Sequence, residues 1–367
     1  MGVSVMGVGI TGPVPTSDGL SYRELIARAA RMAYQDAGIE PEQLDGAVSV
    51  EEDFVSGYSI ADEYVPDQLG MVRKPVYTIN GDYLHGFGSA VMQIQTGEYD
   101  MLVVEAYSKA SNVLEKDELL NFAYDPIFDR LGVSPHYLGS IEMQRFLDGS
   151  DFDLLDVAEV VRRNREQAIA NAAAPYGTTL TIEDVLDGRP VATPLTDLMF
   201  ARHADAAVCI VIGTEEKAEE YSRHPVPVLG TGWGSADSIV QRRDLEGSVG
   251  TAIAAREALG EAGIEDPAIE CDVFYLSDLY AHRQLMHMDA MGFGGEMLPL
   301  INPDGGALGG GDLFEATGGA RMVDAIRQVR GEAGAHQLPH VETALVHGWR
   351  GLPTDSCAVA VVGSERR

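Results

Sequence analysis

The chain has 367 residues, 45% of them hydrophobic, enough for one large or two medium domains with a full core, which excludes a disordered protein. Acidic residues number 57 against 26 basic ones, a formal net charge of -31. That balance makes nucleic acid and anionic membrane poor partners, and no apolar run approaches the roughly 18 residues of a membrane helix. Only Lys74, Lys109, Lys116 and Lys217 are lysines. An acidic surface that favours Arg over Lys suits a salt-rich cytoplasm, where self-repulsion is screened within a few Å; an acidic protein of an ordinary cell is the alternative. The start, "MGVSVMGVGITG", has no basic n-region and reads as a strand and turn rather than a signal peptide. Cys209, Cys271 and Cys357 are widely spaced in apolar surroundings. They are expected as buried free thiols of a reducing compartment.

In chain order, the strand "VSVMGVGI" (3–10) is followed by the helix-period segment "SYRELIARAARMAYQ" and the turn and strand "AGIEPEQLDGAV" (37–48). Val76 to Ile79 reads as a further strand. It runs into "INGDYLHGFGSA" (79–90), a polar turn carrying Tyr83, Leu84 and His85, with a helix opening at Gly86. A helix N-terminus at a strand end favours negative charge and is a usual seat for a nucleophile. Gly97 stops that helix before the strand Met101 to Glu105. Residues of about 115–190 read as a mostly helical insertion, and "RPVATPLTDLMFARHADAAVCIVIG" returns to the sheet.

The pattern then repeats at an offset of about 225. "VPVLGTGW" (226–233) echoes residues 3–10, "SVGTAIAAREALGE" echoes the first helix, and "AGIEDPAIECDV" (262–273) echoes 37–48. A helix stopped by Gly331 and Gly334 precedes the strand "TALVHGW". Apolar strands between amphipathic helices indicate mostly parallel, helix-covered sheets. The expected fold class is α/β, a duplicated unit with mixed, mostly parallel sheets layered with helices. Its halves are residues 1–225, with the insertion, and 226–367.

His347 precedes Gly348 at a strand end, where α/β folds place sites. His282 and His287 are i, i+5, not a metal-binding spacing, and are expected on the surface. "GGALGGGD" (305–312) lacks G-K-[ST] and the dinucleotide pattern. Asp312 is placed to cap a helix opening near Phe314.

These stretches together resemble the thiolase superfamily, nearest the lipid-transfer and sterol-carrier-protein-x-like group, over nearly the whole chain. "NPDGGALGGGDLFEATGGARMVDAIRQVRGEAG" is similar to the family's glycine-rich loop and following helix. "TALVHGWRG", "ECDVFYLSDLYAHRQLMHMDAMGFGGEM" and "TGEYDMLVVEAYSKAS" are similar to three further family stretches. The resemblance implies a thiolase-like fold, a coenzyme A thioester as substrate with no covalently bound cofactor, and a homodimer; composition points to the cytoplasm, and the residue spacings give no expectation of a metal.

The same resemblance places Tyr83 at the family's nucleophilic cysteine, Asp312 at its activating histidine, and Ser277 beside a matching Asp278 in the oxyanion loop. It places His347 at a histidine of the sterol-carrier-like group. The candidate catalytic residues are therefore Tyr83, Asp278, Tyr280, Asp312 and His347. Gly306, Gly309 and Gly348 are the candidates for close approach of coenzyme A, with Arg283 and Arg350 as candidate partners of its anionic groups. An ordinary cysteine mechanism is not expected, since no Cys precedes residue 209. Two readings stay open. One is a cysteine-free, aldolase-like acyl-CoA enzyme, whose relatives pair with a small zinc-ribbon/OB-fold protein. The other is a non-catalytic subunit beside such a protein or an active thiolase.

Overall fold

The computed structural model describes residues 2–52, 61–113, 134–237 and 242–365. Residues 114–133 of the expected insertion lie outside them. The strands are β1 (Val3–Val14), β2 (Gly46–Val50), β3 (Val76–Ile79), β4 (Met101–Lys109), β5 (Pro190–Ala192), β6 (Leu195–Thr196), β7 (Asp205–Thr214), β8 (Val226–Ser235), β9 (Val273–Tyr275), β10 (Thr343–Trp349) and β11 (Ser356–Gly363). The main helices are α1 (Tyr22–Ala37), α2 (Tyr83–Gln95), α3 (Pro135–Gly149), α4 (Leu154–Gln167), α5 (Val249–Ala262), α6 (Ala281–Ala290) and α7 (Thr317–Arg330).

Nine strands pair in the order β3-β2-β4-β7-β1-β8-β11-β10-β9. The order is nearly palindromic about the β1–β8 contact: β7 matches β11, β4 matches β10 and β2 matches β9. Within each half every strand runs one way except the last in sequence. β7 is antiparallel to β1 and β4, and β11 is antiparallel to β8 and β10. Each half of the mixed sheet is thus parallel in direction apart from one reversed strand, and the halves meet antiparallel at β1–β8.

Both halves turn one face onto a shared core that holds α2 and α7, with Phe87 and Ile94 meeting Met322 and Ile326 among inward residues of β2, β4, β10 and β11. The outer face of the first half is covered by α1. The outer face of the second is covered by α3, α4, α5 and α6. The succession is helix, sheet, two buried helices, sheet, helices.

The outer helices sit unusually close to their strands, and the sequence repeat explains why. A Cβ on Gly9 would lie 2.0 Å from the Ala29 carbonyl oxygen, and one on Gly7 would lie 2.4 Å from that of Ala33. In the second half a Cβ on Gly232 would lie 2.0 Å from Ala254 O, and one on Gly230 would lie 2.1 Å from Ala258 O. A G-x-G strand against an alanine stripe at i, i+4 lets backbone meet backbone in both halves. Both helices then end at a left-handed glycine, Gly38 (φ 71°) and Gly263 (φ 68°).

Gly232→Ala is therefore expected to cost about 1–3 kcal/mol of stability in urea denaturation. Gly260→Ala lies in α5 with open space around it, and is expected to leave stability unchanged or raise it by up to about 1 kcal/mol. Equal effects of the two substitutions would refute the close-contact account.

Candidate active site

Loops at the strand ends of both halves enclose a cavity of about 360 Å³, within the range of small-molecule sites. Glu52 follows β2, Gly81 and Asp82 follow β3, Leu279 and Tyr280 follow β9, and Arg350 to Leu352 follow β10. C-terminal strand ends are the usual place for α/β sites. The insertion adds Pro135 and His136 at the start of α3. Phe200 to His203 precede β7, and Asp312, Phe314 and Glu315 precede α7.

Asp82 sits where the two buried helices begin. It is the N-cap of α2, and its Oδ1 accepts the Leu84 N–H (3.1 Å). Its Oδ2 accepts the Gly318 N–H of α7 (2.9 Å). The fit is tight: a Cβ on Gly318 or Gly348 would lie 2.0 or 1.9 Å from Oδ1. Burial pushes this carboxyl up to about 6. One aspartate thus satisfies N–H groups of one helix from each half. The helix expected to open at Gly86 begins instead at Tyr83, because Asp82 caps it.

Tyr280 and Asp312 line the cavity, and each is matched with a histidine. Tyr280 Oη and His136 Nδ1 share a hydrogen bond of 3.0 Å, and the His136 ring stacks on Phe200 at 4.1 Å. Asp312 Oδ2 faces His203 Nδ1 at 3.1 Å, while its Oδ1 accepts the Phe314 N–H (2.9 Å). Burial works against the Asp312 charge, but His203 and the Phe314 N–H hold its carboxyl below the usual range. Arg350 pairs with Glu52 at the cavity wall.

The other candidates are placed elsewhere. Tyr83 is fully buried; its phenol donates to the Val104 carbonyl (2.8 Å), and Gly319 of α7 packs against its ring. It is turned into the core between α2 and α7, away from the cavity. His347 points to the opposite face of β10 from Gly348, as strand alternation requires. It lies against the His287 ring at 4.1 Å, and its Nε2 shares a hydrogen bond with Thr251 Oγ1 (3.1 Å). Burial, with the Arg321 and Arg283 guanidiniums beyond it, holds its imidazole well below the usual range.

Thr251 Oγ1 also lies 2.8 Å from His287 Nδ1 and 3.4 Å from Cys357 Sγ. His287, His347 and Cys357 are grouped closely enough to suggest a metal site, but this hydroxyl fills the space between them. His282 and His287 are both fully buried, which corrects the surface expectation. The correction follows from buried polar partners, Glu142 for His282 (3.2 Å) and Thr251 for His287.

Asp278 holds the glycine-rich turn rather than facing the cavity. Its carboxylate accepts the N–H groups of Ala307 (2.7 Å) and Leu308 (3.0 Å) and bonds to Arg321 and Asn164. Gly306 leaves room for that carboxylate, since its Cβ would lie 2.3 Å from Oδ2. Gly309 leaves room for Ala168 (2.4 Å). Gly348 alone of the three candidate glycines approaches the site, through Asp82. Arg283 is buried among Glu142, Asp355 (2.8 Å) and the Trp349 ring, with its guanidinium 4.1 Å from the ring centroid. It does not reach the cavity. Cys209, Cys271 and Cys357 are free and buried, and none lines the cavity.

Sequence reasoning missed Asp82, His136, His203 and Glu315. An Asp immediately before a helix start was a legible cap signal. The two histidines carried no local signal, because each faces its partner across more than 100 residues of chain.

Asp82 yields a test through pH. A carboxyl raised in the folded state favours folding below the unfolded pKa of 3.8, and that stability is lost as pH rises through about 6. Asp82→Asn is expected to remove a fall on the order of 3 kcal/mol between pH 4 and 6.5, read from urea unfolding at each pH. An unchanged pH profile in the variant would refute the assignment.

Residues 294–364 match the family described as thiolase C-terminal domain-like. An acetyl-CoA acetyltransferase of Methanothermobacter thermautotrophicus is 26% identical over 355 residues, which cover 89% of this chain and 91% of that protein. A 17-hydroxy-3-oxo-4-pregnene-20-carboxyl-CoA lyase of Mycobacterium tuberculosis is 26% identical over 383 residues, with 96% and 97% covered. The solved Ltp2-ChsH2(DUF35) aldolase superposes with a TM-score of 0.85 at 20% identity, over 100% of this chain and 98% of that one. That likeness speaks for the fold. With its repeated halves, its cavity at the strand ends and its relatives matched over most of their length, the chain is similar to thiolase-superfamily proteins throughout, and residues 294–364 carry the match to the thiolase C-terminal domain-like family.

Proposed function

We propose that the chain is a thiolase-like enzyme of acyl-CoA carbon–carbon bond chemistry that works without a cysteine nucleophile, in the manner of an aldolase. The observation that carries this reading is Asp82. A thiolase nucleophile is a thiolate supported by helix N-terminal N–H groups. At this site the N–H groups of Leu84 and Gly318 are already taken by the Asp82 carboxylate. The three cysteines are buried away from the cavity.

Retro-aldol cleavage of a 3-hydroxyacyl-CoA needs no acyl-enzyme. A base takes the proton of the 3-hydroxyl, the bond between C2 and C3 breaks, C3 becomes a carbonyl, and the electron pair passes to the thioester as an enolate. Tyr280 and His136 supply a phenol–imidazole pair for the hydroxyl proton. Asp312 and His203 form a second pair on the same cavity. Phe200, Leu279, Phe314 and Leu352 give the acyl chain an apolar wall. Coenzyme A is the carrier of the substrate, not a resident cofactor.

Further parts of the proposal are coarser. Residues 1–225 and 226–367 are the two thiolase-like halves, with the helical insertion in the first. The outer side of β3, which pairs with no other strand among the described residues and where Tyr77 is 40% exposed, supports a homodimer. An OB-fold/zinc-ribbon partner is suggested by the likeness to the two-component Ltp2-ChsH2(DUF35) aldolase. The surplus of acidic residues supports a salt-adapted cytoplasmic protein.

The test is an assay of the protein with whatever co-purifies, using 3-hydroxyacyl-CoA and, separately, 3-ketoacyl-CoA with free coenzyme A. Cleavage of the hydroxyacyl substrate is expected, and Tyr280→Phe should lower kcat at least about 100-fold with an unchanged melting temperature. Thiolysis of the ketoacyl substrate would sink the cysteine-free reading. Failure to turn over either substrate would favour the alternative, a non-catalytic subunit.

A further inference from the structure

We propose that Glu315 is a catalytic residue of this site, the acid that delivers a proton to C2 of the acyl-CoA enolate and the base that removes it in reverse. The proposal rests on the aldolase-like reading above and deepens it. That reading accounts for the hydroxyl proton but leaves the departing carbanion without a donor.

Among the described residues four carboxyls line the cavity: Glu52, Asp82, Asp312 and Glu315. Three are committed. Asp82 accepts two backbone N–H groups, Asp312 faces His203 and accepts the Phe314 N–H, and Glu52 is paired with Arg350. Each of these partners favours the carboxylate and opposes a proton. Glu315 has the opposite surroundings. It is 7% exposed, and burial, then the carboxylates of Glu52 and Glu51, push its carboxyl well above the usual range against the pull of its own backbone N–H and of Arg350. Burial also raises Asp82, to about 6, and Glu52, but there the N–H groups and Arg350 pull the other way; at Glu315 the neighbouring carboxylates add to burial, and it is the cavity carboxyl raised furthest.

The backbone supplies an independent sign. Phe314, just before Glu315, has φ 52°, a left-handed conformation that is a genuine outlier for a bulky side chain. Strain of this kind is held by its surroundings and clusters at active sites. Here Asp312 accepts the Phe314 N–H, and Thr317 Oγ1 accepts the Leu313 N–H (2.9 Å) and donates to the Phe314 carbonyl (2.8 Å). The strained turn puts Phe314 and Glu315 on the cavity wall together.

In the cleavage direction the C2–C3 bond breaks, the enolate takes the Glu315 proton to form a C2–H bond, and Glu315 is left as a carboxylate. Tyr280 and His136 hold the proton from the 3-hydroxyl. Exchange with solvent restores both groups, so the net reaction moves one proton from oxygen to carbon with no oxidant or reductant.

The test separates the two half-sites by incubating the saturated acyl-CoA product in D2O and following loss of its C2 protons by NMR. Wild type is expected to exchange them, with a rate that rises with pH as Glu315 ionises, while cleavage falls with pH through the same group. Tyr280→Phe is expected to lose cleavage but keep exchange within about threefold. Glu315→Gln, which copies the protonated shape, is expected to lose both by at least about 100-fold. If that variant does not fold, Glu315→Asp, with its carboxyl withdrawn by one methylene, is expected to slow exchange similarly. Exchange by a folded Glu315 variant within threefold of wild type would overturn the proposal. So would wild type that cleaves but exchanges nothing. Wild type that does neither would overturn the functional reading itself, and this proposal with it.

Discussion

Two buried helices, one from each half, begin against the same carboxylate. Asp82 accepts an N–H from Leu84 and one from Gly318, and the cavity opens beside it. Helix N-termini inside a core carry unsatisfied donors and partial positive charge. A single side chain meets that demand for both helices, and Gly318 and Gly348 are small so that it can. The same contact ties a buried helix of one half to a buried helix of the other. On the proposed reading, a site filled by a fixed carboxylate is not a place for a thiolate.

The rest of the site is arranged around that constraint. Other loops bring the histidines that line the cavity. The insertion brings His136 to Tyr280, and the segment before β7 brings His203 to Asp312. Behind Tyr280, Arg283 of α6 is held by Glu142 of α3 and by Asp355. Breaking a buried pair of this kind leaves an uncompensated charge, so α3 and α6 stay in register. The His347–Thr251–His287 cluster belongs to the same outer layer. It packs the second half and does not reach the cavity.

The duplicated architecture was legible in the sequence because it rests on local signals: G-x-G strands, alanine stripes and helix-ending glycines recur at one offset. The stretch that borders the cavity was legible too, as a strand end meeting a helix start. Which side chain faces it was not. Tyr83 and Asp82 are neighbours, and a cap at Asp82 rotates Tyr83 into the core. His347 and Gly348 are neighbours on a strand, and alternation sends them to opposite faces. An offset of one residue was enough to misplace both. Asp278 matched a family position, yet it serves the backbone of the glycine-rich turn. The fold is written in periodicities, whereas a site depends on single residues whose orientation is set by distant packing.

The central claim is that carbon–carbon bond chemistry proceeds here without an acyl-enzyme. Mass spectrometry of the intact protein, acid-quenched during steady-state turnover of an acyl-CoA substrate, tests it most directly. The account predicts the unmodified mass at every time point. A mass increment equal to the acyl group, mapped to Cys209, Cys271 or Cys357, would contradict it.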